Sequence, residues 1–121
     1  MDSKAKGKRF ELECCQVLSE VLGTPVERTG QYSAKGGTAD LRVPAMPWMH
    51  WEAKKRGQPI VPADLSGFYA QAVRDAASLP STLPLVACRW DRSEYLMVCV
   101  WALDLPRLVD LLAPSRGWVR P

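Results

Sequence analysis

Apolar positions along this chain change period several times, and each change marks an element. In residues 4–22, Phe10, Cys14, Val17, Leu18, Val21 and Leu22 recur at helical spacing and Gly23 follows as a stop, so the pattern predicts a helix. Residues 25–29 are a short β-prone run. Residues 39–43 and 49–54 are two more, and the intervening Pro44 and Pro47 forbid continued ladder pairing, which predicts a hairpin. Asp64 is expected to cap a second helix reaching Leu79, with Leu65, Phe68, Tyr69, Ala72, Val73 and Ala76 on one face and Pro80 ending it. Residues 83–90 and 95–101 are apolar runs separated by the charged turn Asp91-Arg92-Ser93-Glu94, a second hairpin signal. A last helix is expected from Asp104, with Pro106 in its first turn and Ala113-Pro114 closing it. The order αβββαββα, without repeats, low-complexity tracts or linkers, fits one α/β domain over residues 1–121.

Charges that break this pattern carry the chemistry. Asp40, Glu52 and Lys54 sit inside apolar strand runs, where ionised groups lose hydration unless a metal or counter-charge offsets the loss. Strand alternation puts Glu52 and Lys54 on one face, roughly 7 Å apart along it, and turns Ala53 to the other. An antiparallel neighbour can bring Asp40 beside Glu52. In the first helix the apolar set centres about 50° beyond Phe10, and Glu11 lies only about 50° from that centre. Glu11 therefore violates the amphipathic pattern, although a borderline position could still let it reach water. Glu13 and Glu20 point away and read as ordinary solvated residues. An acid-x-lysine step is weak by itself, since about 0.6 are expected by chance for this composition, and Asp2-Ser3-Lys4 is already one. The strand setting is what distinguishes Glu52-Ala53-Lys54.

Composition narrows the chemistry further. A chain of 121 residues with 47% hydrophobic content can bury a core. No apolar run approaches the roughly 20 residues that span a bilayer, and the N-terminus lacks the apolar stretch of a signal peptide, so a cytoplasmic protein is expected. Cys14, Cys15, Cys88 and Cys99 form no C-x-x-C pair and His50 is the only histidine, which disfavours zinc and a Ser-His-Asp triad. The cysteines are expected to be reduced core residues. Residues 1–60 hold ten Lys or Arg against seven Asp or Glu, and residues 61–121 hold six against six, so the whole net charge of +3 lies in the half with the misplaced acids. A polyanionic partner follows, with a solubilising basic face as the plain alternative. The glycine-rich loop 30–38, with Lys35, could lay amides against phosphate or be a flexible connection.

Two neighbouring carboxylates repel unless one protonates or a cation bridges them, and hard oxygen ligands suit Mg²⁺, with Mn²⁺ as a substitute. Phosphodiester cleavage needs an activated water, charge neutralisation and help for the departing oxygen, all within reach of a carboxylate-held metal beside an ammonium. Lys54 could orient the water or take its proton.

Asp40, Glu52-Ala53-Lys54 and Glu11 together reproduce the PD-(D/E)XK nuclease pattern, and the chain resembles the archaeal-type Holliday junction resolvases, also found in phage-borne forms. That family opens with a basic Lys-Gly step and a glutamate four residues after the glycine, matched by Lys6-Gly7 and Glu11. An arginine ends its first strand, matched by Arg28, and a flexible loop, the aspartate, the E-x-K strand, a helix, two strands and a helix follow in the same order. The resemblance spans nearly the whole chain on about six positions. Ala39 stands where many members have proline, and Ser33 is the nearest candidate for the loop serine of some resolvases.

This resemblance implies a restriction-endonuclease-like mixed β-sheet flanked by helices. It implies a catalytic set of Glu11, Asp40, Glu52 and Lys54, and a Mg²⁺ site of Glu11, Asp40, Glu52 and the Ala53 backbone carbonyl. DNA phosphates would be met by Lys4, Lys6, Lys8, Arg9, Arg28, Ser33, Lys35, Lys55 and Arg56. The working unit would be a homodimer making paired symmetric nicks in a four-way DNA junction, with no small-molecule cofactor and no membrane. Phe68, Tyr69 and Trp118 are candidates for the dimer contact. Two other readings stay open: a phage-type nuclease of the same superfamily acting on nicked, flapped or duplex DNA, and a non-catalytic dimeric DNA-binding protein whose acids are structural.

Overall fold

Phe10, Cys14 and Leu18 fall one per turn on the same helical face, and all three are buried, with Cys15 beside them. They seat the first helix, α1 (Ser3–Leu22), which ends at Gly23 in the left-handed conformation at φ 70°. The Gly23 N–H donates to the Ser19 carbonyl at 2.9 Å, which satisfies one of the helix's terminal acceptors. The computed structural model describes residues 3–29, 39–77 and 82–117, and within them the side chains of all but residues 3–6, 115 and 116.

Strands β1 (Glu27–Arg28), β2 (Leu41–Arg42), β3 (Met49–Arg56), β4 (Leu83–Trp90) and β5 (Met97–Cys99) form one sheet in the order of the chain. β3 and β4 are parallel along their full length, from Met49 opposite Leu83 to Arg56 opposite Trp90, and the other pairings are antiparallel. The parallel pair requires a crossover, which helix α2 (Pro62–Ala76) supplies. A short 3₁₀ turn (Ala102–Asp104) leads into helix α3 (Leu105–Arg116). The fold is thus α/β, a mixed sheet flanked by helices in the expected order. Among the described residues no helix is long and apolar enough to cross a membrane.

The two faces of the sheet bury different sets. Met49, Trp51, Leu83, Leu85 and Ala87 pack with Phe10, Cys14 and Leu18 of α1. Val86 and Cys88 pack with Phe68, Tyr69 and Ala72 of α2. Along β3, Met49 to Glu52 are buried, Ala53 and Lys54 are half-buried, and Lys55 and Arg56 are exposed. The strand therefore runs from the core into solvent, and its chemistry-bearing residues sit at the crossing.

Several expected boundaries move for physical reasons. Val61, not Asp64, precedes the first turn of α2; Asp64 is the third helical residue, and its Oδ2 accepts the Val61 N–H at 3.0 Å. Its charge there favours the positive end of the helix dipole. α2 is described to Ala76, short of the expected Leu79, which lies outside the described residues. Pro114 lies inside α3 and Gly117, at φ 69°, ends it. The expected strands at 25–29, 39–43 and 95–101 shorten to β1, β2 and β5. Phe68 and Tyr69, taken as dimer contacts, are buried at 5% and 0% exposure because the same helical face that carries Ala72 packs on β4. The Tyr69 hydroxyl lies 3.0 Å from the Pro84 carbonyl and 3.1 Å from Asp104 Oδ2. Trp118 lies outside the described residues.

Candidate active site

Asp40 is fixed by its backbone before its side chain acts. Its N–H donates to the Trp51 carbonyl at 2.9 Å and its own carbonyl accepts the Thr29 N–H at 3.1 Å, which stitches it between β1 and β3. β2 pairs with β3 only at Leu41 opposite Trp51, so the ladder from β2 does not continue to Ala53. The Asp40 carboxylate takes over there, Oδ2 accepting the Ala53 N–H at 3.0 Å. This holds the carboxylate against β3 at the level of Glu52.

Glu52 is 2% exposed. Burial is the main force that pushes its carboxyl up to about 7; a hydrogen bond from His50 opposes the rise, and a hydrogen bond and the charge of Asp40 add to it. Burial and the neighbouring Asp40 together hold the Glu52 carboxyl protonated well above the ordinary carboxylate range. His50 Nε2 lies 3.1 Å from Glu52 Oε1, and both side chains are buried. Lys54, two residues on, donates from Nζ to Gln71 Oε1 of α2 at 2.8 Å. Alternation therefore puts His50, Glu52 and Lys54 on the α2 face of β3, with Ala53 packed against the α1-side core.

Glu11 stands elsewhere. It belongs to α1, on the opposite face of the sheet, and Arg28 Nε donates to its Oε1 at 2.8 Å. The structure sets Asp40 against Glu52, with Lys54 two residues on along the same strand face, and leaves Glu11 with Arg28. Among the described residues no group of three or more His, Cys, Asp or Glu side chains is gathered as a metal site.

Glu13, expected to be an ordinary solvated residue, is instead held by a guanidinium fork: Arg89 Nε and Nη2 donate to its two oxygens at 2.8 and 2.7 Å. Arg89 also reaches the Ser93 carbonyl at 3.3 Å. On the same side Lys55 Nζ lies 3.5 Å from Asp91 Oδ1. Glu13, Lys55 and Asp91 wall a cavity of about 580 Å³ together with Arg9, Phe10, Glu11 and Arg56. A second cavity, about 320 Å³, opens on the α2 face beside Lys54, Asp64, Gly67 and Gln71, and Lys55 and Arg56 border both. Arg56 also stacks on Phe68, its guanidinium carbon 4.9 Å from the ring centre.

Of the expected phosphate contacts, Lys8, Arg9, Lys55 and Arg56 are exposed, while Arg28 is committed to Glu11. Ser33 and Lys35 lie outside the described residues, as do the side chains of Lys4 and Lys6. The four cysteines are free, and burial pushes the Cys14 thiol up to about 12 and the Cys88 thiol up to about 11, so neither offers a thiolate nucleophile at neutral pH.

His50, Gln71 and Arg89 escaped the sequence reading. The alternation that joins Lys54 to Glu52 reaches His50 by one more step. Arg89 was a lone charge in an apolar strand run, the signal that singled out Glu52. Gln71, three residues after Phe68, gave no signal beyond its place at the rim of the apolar helix face. No protein-family model, curated protein or solved structure matches the chain.

Proposed function

We propose that this chain is a metal-dependent endonuclease of PD-(D/E)XK type that resolves four-way DNA junctions by paired symmetric nicks. One observation carries the reading: a buried glutamate lies against a strand-fixed aspartate that helps to raise its carboxyl, and a lysine two residues on lies on the same strand face. A buried carboxyl group beside a second, half-buried one is an unfavourable arrangement when both ionise, and a divalent cation between them would relieve it. The donor set therefore fits Mg²⁺ or Mn²⁺, held by Asp40 and Glu52 with the Ala53 carbonyl as a candidate third oxygen. A cation bound there supplies Lewis-acid charge and a lowered water pKa.

The chain's own residues do the rest. Lys54 stands at the wall of the α2-side cavity, where an ammonium can neutralise a phosphate oxygen, orient a water or take its proton. Lys8, Arg9, Lys55 and Arg56 offer exposed cations for backbone phosphates, which supports recognition of DNA shape over base sequence. Glu11, in this reading, supports the site through Arg28 of β1, the strand beside the one that follows Asp40. A homodimer is part of the proposal, because symmetric cuts in two strands call for two copies of one site. So is a cytoplasmic location, which the four free cysteines favour.

The test is incision of labelled four-way, flapped and linear DNA with Mg²⁺ and with EDTA. Paired symmetric cuts in the junction, stopped by EDTA and restored by Mg²⁺, are expected. Preference for linear duplex rejects junction resolution, and cutting in EDTA rejects the metal.

A further inference from the structure

Lys54 is held in an unusual way for a half-buried ammonium. Among the described residues no carboxylate pairs with it, and its Nζ hydrogen-bonds to the neutral side-chain carbonyl of Gln71 at 2.8 Å. Asp64 lines the same cavity, but its Oδ2 takes the Val61 N–H at the start of α2. A carboxylate partner would cancel the ammonium's field; an amide carbonyl directs it and leaves the charge for an incoming anion. An ammonium only donates hydrogen bonds, so Gln71 must present its oxygen to Lys54.

We infer that Gln71 is a positioning residue, which fixes Lys54 Nζ from α2 at the mouth of the cavity that receives the scissile phosphate. This rests on the proposed nuclease reading. The helix contributes rigidity: Phe68 and Ala72, on either side of Gln71 in sequence, are buried against β4, so the amide is carried by a packed element and not by a loop. Gln71 acts through Lys54. Its loss would let a four-carbon side chain rotate freely at the step where orientation matters.

Single-turnover junction cleavage with Mg²⁺ is measured for wild type, Gln71→Met and Gln71→Glu, with junction Kd from fluorescence anisotropy. Gln71→Met is expected to cut about 10-fold to 100-fold more slowly, with Kd within about twofold of wild type. Gln71→Glu keeps an acceptor at the same reach but cancels part of the ammonium's field, so it cuts faster than Gln71→Met and more slowly than wild type.

A wild type that cuts no DNA overturns the nuclease reading and this inference with it. A wild type that cuts, with Gln71→Met matching its rate, overturns the inference alone. So does a loss confined to Kd, which assigns Gln71 to DNA binding. Should Gln71→Met melt at lower temperature by circular dichroism, rates are compared per folded molecule, and an isosteric Gln71→Glu that cuts no faster than Gln71→Met rejects the positioning role.

Discussion

The two faces of β3 treat charge in opposite ways. On the α1 face each of three acids has a cation: Glu11 with Arg28, Glu13 with the fork of Arg89, Asp91 with Lys55. On the α2 face Glu52 is buried against another carboxyl group and a histidine, and Lys54 leans on a neutral amide. Pairs of the first kind join elements distant in sequence. The second arrangement leaves a carboxyl group buried without a lysine or arginine and is the kind of perturbed cluster that concentrates at functional sites. Charge count does not separate the two faces; the chemistry of the partners does.

The largest expected effect tests that division directly. Asp40→Asn and Glu52→Gln should each lower junction cleavage by about 10³-fold or more while leaving DNA binding within a few-fold, as gel and anisotropy assays will report. Glu11→Gln should cost less than about 10-fold in rate. If Glu11→Gln abolishes cutting in a folded protein as fully as Asp40→Asn, the contrast between the faces fails and Glu11 belongs with the acids of the site.

Next comes the pH dependence of the metal-free protein. The folded state raises the Glu52 carboxyl from its ordinary value of 4.5 to about 7, so the folded chain binds a proton that the unfolded chain has released across that interval. Stability is then greatest below about pH 4.5 for this group and is lost as pH rises through about 7, with a total on the order of 3 kcal/mol. Urea midpoints between pH 5 and pH 8 should fall in wild type and fall much less in Glu52→Gln. Mg²⁺ should recover stability at pH 8; no recovery would count against a cation between Asp40 and Glu52.

Smaller effects belong to the α1 face. Arg89→Met removes the fork from Glu13 and should cost about 1–2 kcal/mol, since the partly exposed carboxylate retains some water. The urea midpoint is the readout, with cleavage of the still-folded fraction nearly unchanged. A rate loss that exceeds the unfolded fraction would show that this face contributes more than support. Smallest of all, Lys55→Gln should weaken junction binding similarly for every sequence and reduce the slope of log K against log salt by about 1. An unaltered slope would assign Lys55 to Asp91 alone.

Much of this was legible along the chain. Helical spacing of Phe10, Cys14 and Leu18 and strand alternation at Glu52-Ala53-Lys54 are local properties, and the described structure has both. The long-range partners were not legible. Glu13 and Arg89 are 76 residues apart, and the angle that made Glu13 look solvated says nothing of an arginine arriving from β4. Phe68 and Tyr69 illustrate the reverse: their shared face was visible, but which surface covers it depends on the crossover that lays α2 on the parallel pair.

The amino-acid order by itself determined the element types, their succession and the pairing of Glu52 with Lys54 on one strand face, because backbone periodicity fixes which near neighbours point together. Only the tertiary structure decided which charges are balanced. Asp40 meets Glu52 because β2 stops short and a side chain takes the next backbone donor, whereas Glu11 lies across the sheet with Arg28. Charge balance is a sum over neighbours in space, and sequence spacing defines only the neighbours within one element.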